Sequence, residues 1–276
     1  MAKHLQETKQ PVAVVAGASS GIGRATARAL ADSGFAVVGT SREAAQAAPL
    51  EGVTLLDLDV TREVSAEAFI AEVIARFGRV DVLVNNAGVG LAGAAEESSI
   101  SQIRAVFETN FFGTIRMTNA VLPHMRAQSG DRIINVSSIL GMIPAPYMAV
   151  YAATKHAVEG YSESVDHEVR EHGIRVLLVE PGYTSTSFEA NTAWSDSPLP
   201  VYAGQRAIIR DVLTEAMRNA DDATIVAKVI VAAATDAKPR LRYPAGATAS
   251  RASTLRRLVP WRAFDKQIRK LNRLAA

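Results

Sequence analysis

Residues 11–33 constrain the fold of this chain more than any other stretch. A short apolar run, PVAVVA at 11–16, ends in the glycine-rich turn Gly17-Ala18-Ser19-Ser20-Gly21-Ile22-Gly23, and residues 24–33 then have helical character. Strand, tight turn and helix in that order open a sheet whose next strand returns parallel to the first. Glycine permits the turn and lets a phosphate approach the main chain, where the following helix offers free N–H groups and the positive end of its dipole. The spacing is GxxxGxG, and no Lys-Ser/Thr pair follows it, which excludes a P-loop.

The alternation continues down the chain. Strands are expected at 35–39, 53–56, 80–84, 132–136 and 175–179, and helices at 66–77, 100–126 and 150–172. Six strands with intervening helices predict an α/β fold, a doubly wound Rossmann-type parallel sheet with helices on both faces. No Pro/Gly/Ser-rich linker divides residues 1–276, so a single domain is expected.

Composition removes several function classes. Without cysteine the chain has no disulfide, no thiolate nucleophile and no Cys-ligated zinc or iron–sulfur centre, and no metal site is expected. Residues 1–10 lack the apolar core of a secretory leader, and the apolar run 225–234 is broken by Lys228. A cytoplasmic protein without a transmembrane segment is therefore expected. The net charge of +2 conceals a basic carboxy-terminal extension, residues 238–276, with eleven Lys/Arg against Asp265. There Leu255, Leu258, Trp261, Phe264, Ile268 and Leu271 recur at helical spacing between arginines. Such a helix docks its apolar stripe on its own domain, or touches acidic lipid or an acidic partner. No base-reading module accompanies the charge, so nucleic acid is not an expected partner.

The strand ends carry the next signals. A carboxylate at the end of the second strand would select NAD, whereas Arg can pair with the 2′-phosphate of NADP. This chain has Thr40-Ser41-Arg42 there. Asp59-Val60 follows the third strand, where Asp59 can accept from an adenine amino group, and Asn85-Asn86-Ala87-Gly88 follows the fourth. Asn86 suits a nucleotide site and a turn or capping role equally, and both readings stay open. YAATK at 151–155 places Tyr151 and Lys155 one turn apart on one helix face, so a phenol and an ammonium share a small volume.

Together GASSGIG, Asp59-Val60, NNAG, the Asn110 of ETN, the Ser137-Ser138 of NVSS, YAATK and the PGYTST from Pro181 resemble the short-chain dehydrogenase/reductase family over residues 11–190. NNAGVGLAG, the Ser-to-Tyr interval and RYPAGATA are most similar to the 17β-hydroxysteroid and retinol dehydrogenase-like branch. Ala16 departs from the pattern, which usually has Thr before the first glycine; loss of that hydroxyl is expected to be tolerated.

The resemblance implies an NADP(H)-dependent oxidoreductase acting on CH–OH groups, and a homodimer or homotetramer. Tyr151 is the implied general acid/base, and Lys155 binds the nicotinamide ribose and lowers the tyrosine pKa. Ser138 is the implied ligand of the substrate carbonyl, and Asn110 holds a water in a proton path. A phenol titrates near pH 10, so a neighbouring cation suits it to work near neutrality. The implied NADP (NADPH) site comprises Gly17, Ser19, Ser20, Gly21, Ile22, Gly23, Arg42, Asp59, Val60, Asn86, Ala87, Gly88, Tyr151, Lys155, Pro181, Gly182 and Thr186. Ser137 should point to the opposite strand face from Ser138. His156 and His167 are expected on helix surfaces, and His124, after Pro123, has similarly little support.

Residues 188–217 are expected to form a mobile lid over a hydrophobic ketone, aldehyde or secondary alcohol, steroid- or retinoid-like, with carbonyl reduction as the favoured direction. Tyr183, Phe188, Trp194, Pro198, Pro200, Val201 and Tyr202 give this region its apolar character, and residues 144–147 border the same pocket. Two alternatives are weaker. A silent NADP-binding regulatory scaffold does not account for Asn110, Ser138, Tyr151 and Lys155 occurring together, and an epimerase or dehydratase of the longer related family is disfavoured by the GxxxGxG spacing.

Overall fold

The computed structural model describes residues 10–128 and 130–274. The expectation about a secretory leader falls largely on residues outside that range. Seven strands form one parallel sheet: β1 (Val12–Val15), β2 (Ala36–Ser41), β3 (Val53–Asp57), β4 (Val82–Asn85), β5 (Arg132–Val136), β6 (Arg175–Pro181) and β7 (Arg242–Ala245). Their spatial order is β7-β6-β5-β4-β1-β2-β3. Ala13 of β1 stands opposite Val37 on one side and Val82 on the other. Chain order therefore reverses at β1/β4, and the crevice beyond the carboxyl ends of these strands is where a doubly wound sheet binds ligands.

Alternation along the strands divides the core into two layers. Val12 and Val14 face a layer containing Phe69, Ile70, Met117, Val121 and Val165. These come from α2 (Glu63–Phe77), α4 (Gly113–Gln128) and α5 (Ala149–Val169). Ala13 and Val15 face the opposite layer with Ala27, Leu30, Val226 and Ile230. These belong to α1 (Gly21–Asp32) and α7 (Ala223–Thr235). Full burial on both faces explains why the strands read as continuous apolar runs.

Three expectations are corrected. The sheet has a seventh strand, β7, which pairs Arg242 with Leu178 and Pro244 with Glu180 at the sheet edge, where proline is tolerated because one side needs no ladder donor. The helix expected over 100–126 is interrupted: α3 (Ile100–Phe107) passes through a π-helical turn, Glu108–Phe112, before α4 begins. The carboxy-terminal amphipathic pattern is split by Pro260 into α8 (Ala247–Leu258) and α9 (Trp261–Leu271), since proline cannot continue a helix and is at home at its start. Between β6 and α7, α6 (Ala203–Arg218) covers the second half of the segment expected as a lid.

Candidate active site

The turn after β1 is built for close approach. Gly17 and Gly21 have φ of +73° and +53°, which disfavours any side chain. A Cβ on Gly23 would lie 2.1 Å from the Gly17 carbonyl oxygen, so Gly23 lets α1 pack directly beneath the turn. The Gly17 N–H donates to Thr40 Oγ1 at 3.0 Å, and Asn86 Nδ2 donates to the carbonyls of Ala16 and Gly17 at 3.0 and 3.1 Å. These two side chains tie the turn in the absence of a hydroxyl at position 16. Asn86 thus braces the turn while also lining the cleft.

Beyond β2, Arg42 is exposed on the cleft wall and enters no hydrogen bond or ion pair among the described residues. The Thr61 hydroxyl and backbone N–H donate to Asp59 Oδ1 at 2.7 and 3.0 Å. This pair of bonds, with smaller help from Arg42 and Arg62, holds the Asp59 carboxyl below its ordinary value. Val60, Ala87 and Gly88 continue the same wall.

Tyr151 and Lys155 emerge from the first half of α5, both buried. Lys155 Nζ donates to the Val136 carbonyl at 2.9 Å and lies 5.8 Å from the Tyr151 ring centroid. Burial pushes the Lys155 ammonium down to about 8, against the opposing pull of Glu159 one turn further along α5. Burial also pushes the Tyr151 phenol up to about 12, with a hydrogen bond to Ser138 acting the other way. In this geometry desolvation of the phenol is the larger of the two effects. Ser138 closes β5, and its Oγ accepts from the Leu140 N–H at 3.1 Å. Ser137 turns instead toward Gly141 and Glu159.

Asn110 occupies the π turn behind this group. Its Nδ2 donates to the Val89 carbonyl at 2.9 Å and to Thr154 Oγ1 at 3.1 Å, while its Oδ1 accepts from the Val89 N–H at 2.8 Å. A side chain committed in this way clamps the Gly88-Val89 loop onto α5. Both of its amide hydrogens are used in the clamp, and the residue lies in the π-helical turn between α3 and α4.

Ser138, Tyr151, Lys155 and all the expected nucleotide contacts except Gly23 line one cavity of about 1100 Å³, with Asn110 packed behind its wall. Across it, Thr186 approaches Gly21, and the Ser187 hydroxyl donates to Ser20 Oγ at 3.3 Å. Pro181 and Gly182 border the same space. The Phe188 ring stands 5.7 Å from that of Tyr151, and Met148, Trp194, Leu213 and Met217 extend the apolar lining. The covering segment is fastened by fully buried Glu97, which pairs with Arg206 and accepts the Leu199 N–H at 2.7 Å. Arg210 stacks on Trp194 with 4.5 Å between guanidinium carbon and ring centroid. His156 and His167 lie on the outer side of α5, as expected.

Sequence reasoning missed Thr40, Glu97, Arg206 and a buried charge cluster in which Arg242 bonds Glu159, Glu163 and Glu180. None carries a local signal, because each acts through partners at least 23 positions away. Among the described residues no group of three or more His, Cys, Asp or Glu could hold a metal ion. None of their helices is long and apolar enough to cross a membrane.

Comparison with known proteins places this geometry. Residues 11–196 match the family described as short chain dehydrogenase. The chain is 43% identical over 180 residues to a 3-ketodihydrosphingosine reductase of Bacteroides thetaiotaomicron, covering 65% of this chain and 66% of that protein, just under two thirds of the relative's length. It is 36% identical over 249 residues to retinol dehydrogenase 8 of Bos taurus, covering 83% and 79%. A short-chain dehydrogenase from Streptomyces avermitilis superposes with a TM-score of 0.81 at 35% identity, covering 99% of each chain. Similar structures hold either nucleotide: ElxO with NADP bound, at 27% identity, TM-score 0.71 and coverage of 86% and 97%, and a Burkholderia phymatum protein in complex with NAD, at 27% identity, TM-score 0.76 and coverage of 95% of each. The chain belongs to the short-chain dehydrogenase/reductase family of oxidoreductases.

Proposed function

We propose that this protein is an NADP(H)-dependent oxidoreductase that interconverts a hydrophobic ketone or aldehyde and the corresponding alcohol, with carbonyl reduction as the favoured direction. The observation that carries the reading is that Tyr151, Ser138 and Lys155 line the same cavity as the glycine turn. That cavity fits a dinucleotide: its turn has no side chains in the way at Gly17 and Gly21, and free helix N–H groups follow.

Bound there, NADPH would supply a hydride to the carbonyl carbon and NADP would take it back. The Tyr151 phenol, kept protonated by burial, donates its proton to the substrate oxygen as the hydride arrives. The Ser138 hydroxyl hydrogen-bonds the same oxygen and stabilises its developing charge. Lys155, anchored on Val136, supplies positive charge beside the tyrosinate that is left. Phe188, Met148 and Trp194 exclude water and favour an apolar substrate. The names of the two relatives, a retinol dehydrogenase and a 3-ketodihydrosphingosine reductase, support that substrate class.

NADP rather than NAD is proposed because Arg42 is uncommitted at the end of β2 and Thr40-Ser41 offers no carboxylate. The test is steady-state oxidation of NADPH and NADH with a panel of hydrophobic ketones and retinal, for the parent and for Arg42→Ala. The parent should prefer NADPH, and the variant should lose about tenfold in kcat/KM with NADPH but not with NADH. Equal losses with both nucleotides would remove Arg42 from the selection.

A further inference from the structure

The geometry points to the junction of α8 and α9 as a docking surface for an anionic lipid bilayer. Each helix already buries part of its apolar surface. Ala249 and Ser253 of α8 and Phe264 and Ile268 of α9 face the protein. Leu255, Leu258 and Trp261 do not: they are 49%, 77% and 59% exposed and sit together around the helix break at Pro260. Arg256 lies 5.6 Å from the Trp261 ring centroid and 5.3 Å from that of Phe264, which holds the indole at the surface.

Charge decides what such a patch would meet. Residues 247–274 contain eight Lys/Arg and one acidic residue, Asp265, while the chain before residue 238 is net acidic. Arg251, Arg257 and Arg262 are exposed beside the two leucines and the tryptophan. A soluble acidic partner would be satisfied by the cations alone. Large apolar tips set among arginines fit a bilayer surface better, with Leu258 and Trp261 at the acyl boundary and the guanidinium groups among lipid phosphates.

The end of α9 away from the patch reaches a helix of the cavity wall. Arg273, just beyond α9, pairs with Glu215 of α6 at 2.7 Å, and Gln205 of α6 donates to the Asn272 carbonyl at 3.4 Å. Leu213, Thr214 and Met217 of α6 line the cavity. Docking at the junction would hold the protein at the lipid phase in which an apolar substrate dissolves; that consequence, unlike the docking itself, rests on the reductase reading.

The test is co-sedimentation of the full chain with vesicles of phosphatidylcholine alone and of phosphatidylcholine containing phosphatidylserine, without substrate or nucleotide. The protein should bind only the anionic vesicles and be released by high salt. Leu258→Ser/Trp261→Ser and Arg251→Glu/Arg262→Glu should each weaken binding by about tenfold or more, with urea unfolding unchanged. Equal binding to both vesicle types, no binding at low salt, or parent-like binding by either variant would overturn the proposal. So would binding to polyglutamate without binding to vesicles, or a solution mass that falls in the Leu258→Ser/Trp261→Ser variant, which would make the patch an interface between copies of the chain. Failure of nucleotide binding alongside intact vesicle binding would count against the reductase reading and not against the docking.

Discussion

The Thr40 hydroxyl accepts the Gly17 backbone N–H at 3.0 Å and so ties the end of β2 to the turn that follows β1. Thr40 is buried and stands where the neighbouring strand can support the glycine turn, while position 16 is occupied by alanine. β2 thus serves the nucleotide cleft twice, since it carries Arg42 to the cleft wall and braces the turn that would receive the phosphates.

Thr40→Val keeps the shape and removes the acceptor, leaving a partly buried N–H unpaired. Such a loss costs about 1–2 kcal/mol. Nucleotide affinity measured by fluorescence titration should fall about tenfold, with little change in kcat at saturation. An unchanged affinity would show that Asn86 alone holds the turn.

The pH dependence of carbonyl reduction should report on Lys155. Its ammonium, pushed down to about 8 by burial, is present below that pH and lost above it, so kcat should decline on the alkaline side. Glu159 opposes the burial effect. In Glu159→Gln the alkaline limb should therefore move down by about half a pH unit or more. A pH–rate profile identical to the parent's would remove Glu159 from the electrostatics of the site.

A second pH effect concerns stability. Burial, assisted by Asp81, pushes the Asp131 carboxyl up to about 7. The folded protein then holds a proton between the ordinary carboxylate range and pH 7 that the unfolded chain has released, so stability falls as pH rises through this window. Asp131→Asn should match the parent near pH 4 and exceed it by about 1–3 kcal/mol at pH 8 in urea unfolding. Glu180, pushed up to about 7 by burial and by Glu159, keeps the same slope in both proteins. A variant less stable than the parent at pH 8 would show that the Gln128–Asp131 bond at 3.2 Å outweighs the burial of charge.

What was legible in the sequence is what local chemistry dictates. Gly17, Gly21 and Gly23 are forced by backbone conformation and close packing, and Tyr151 and Lys155 by the helical repeat. The buried strands are apolar enough to be read directly. β7 was not, because Arg242-Tyr243-Pro244-Ala245 is short and its place is set by pairing with β6 and by the carboxylates around Arg242. The π turn at Asn110 was hidden because its residues are ordinary helix formers, and the apolar repeat was followed across Pro260 although the helix stops there. Glu97 and Arg206 are 109 positions apart, and nothing near either residue announces the pair.

Proton transfer by Tyr151 is the step on which the proposed chemistry stands or falls. The decisive experiment is NADPH oxidation with the best ketone of the panel, comparing the parent with Tyr151→Phe at matched nucleotide saturation. The variant should bind NADPH within about threefold of the parent and lose about 10²- to 10⁴-fold in kcat, the range for a general acid. A variant that retains kcat within a few-fold of the parent would refute that role and move the proton donor elsewhere in the cavity.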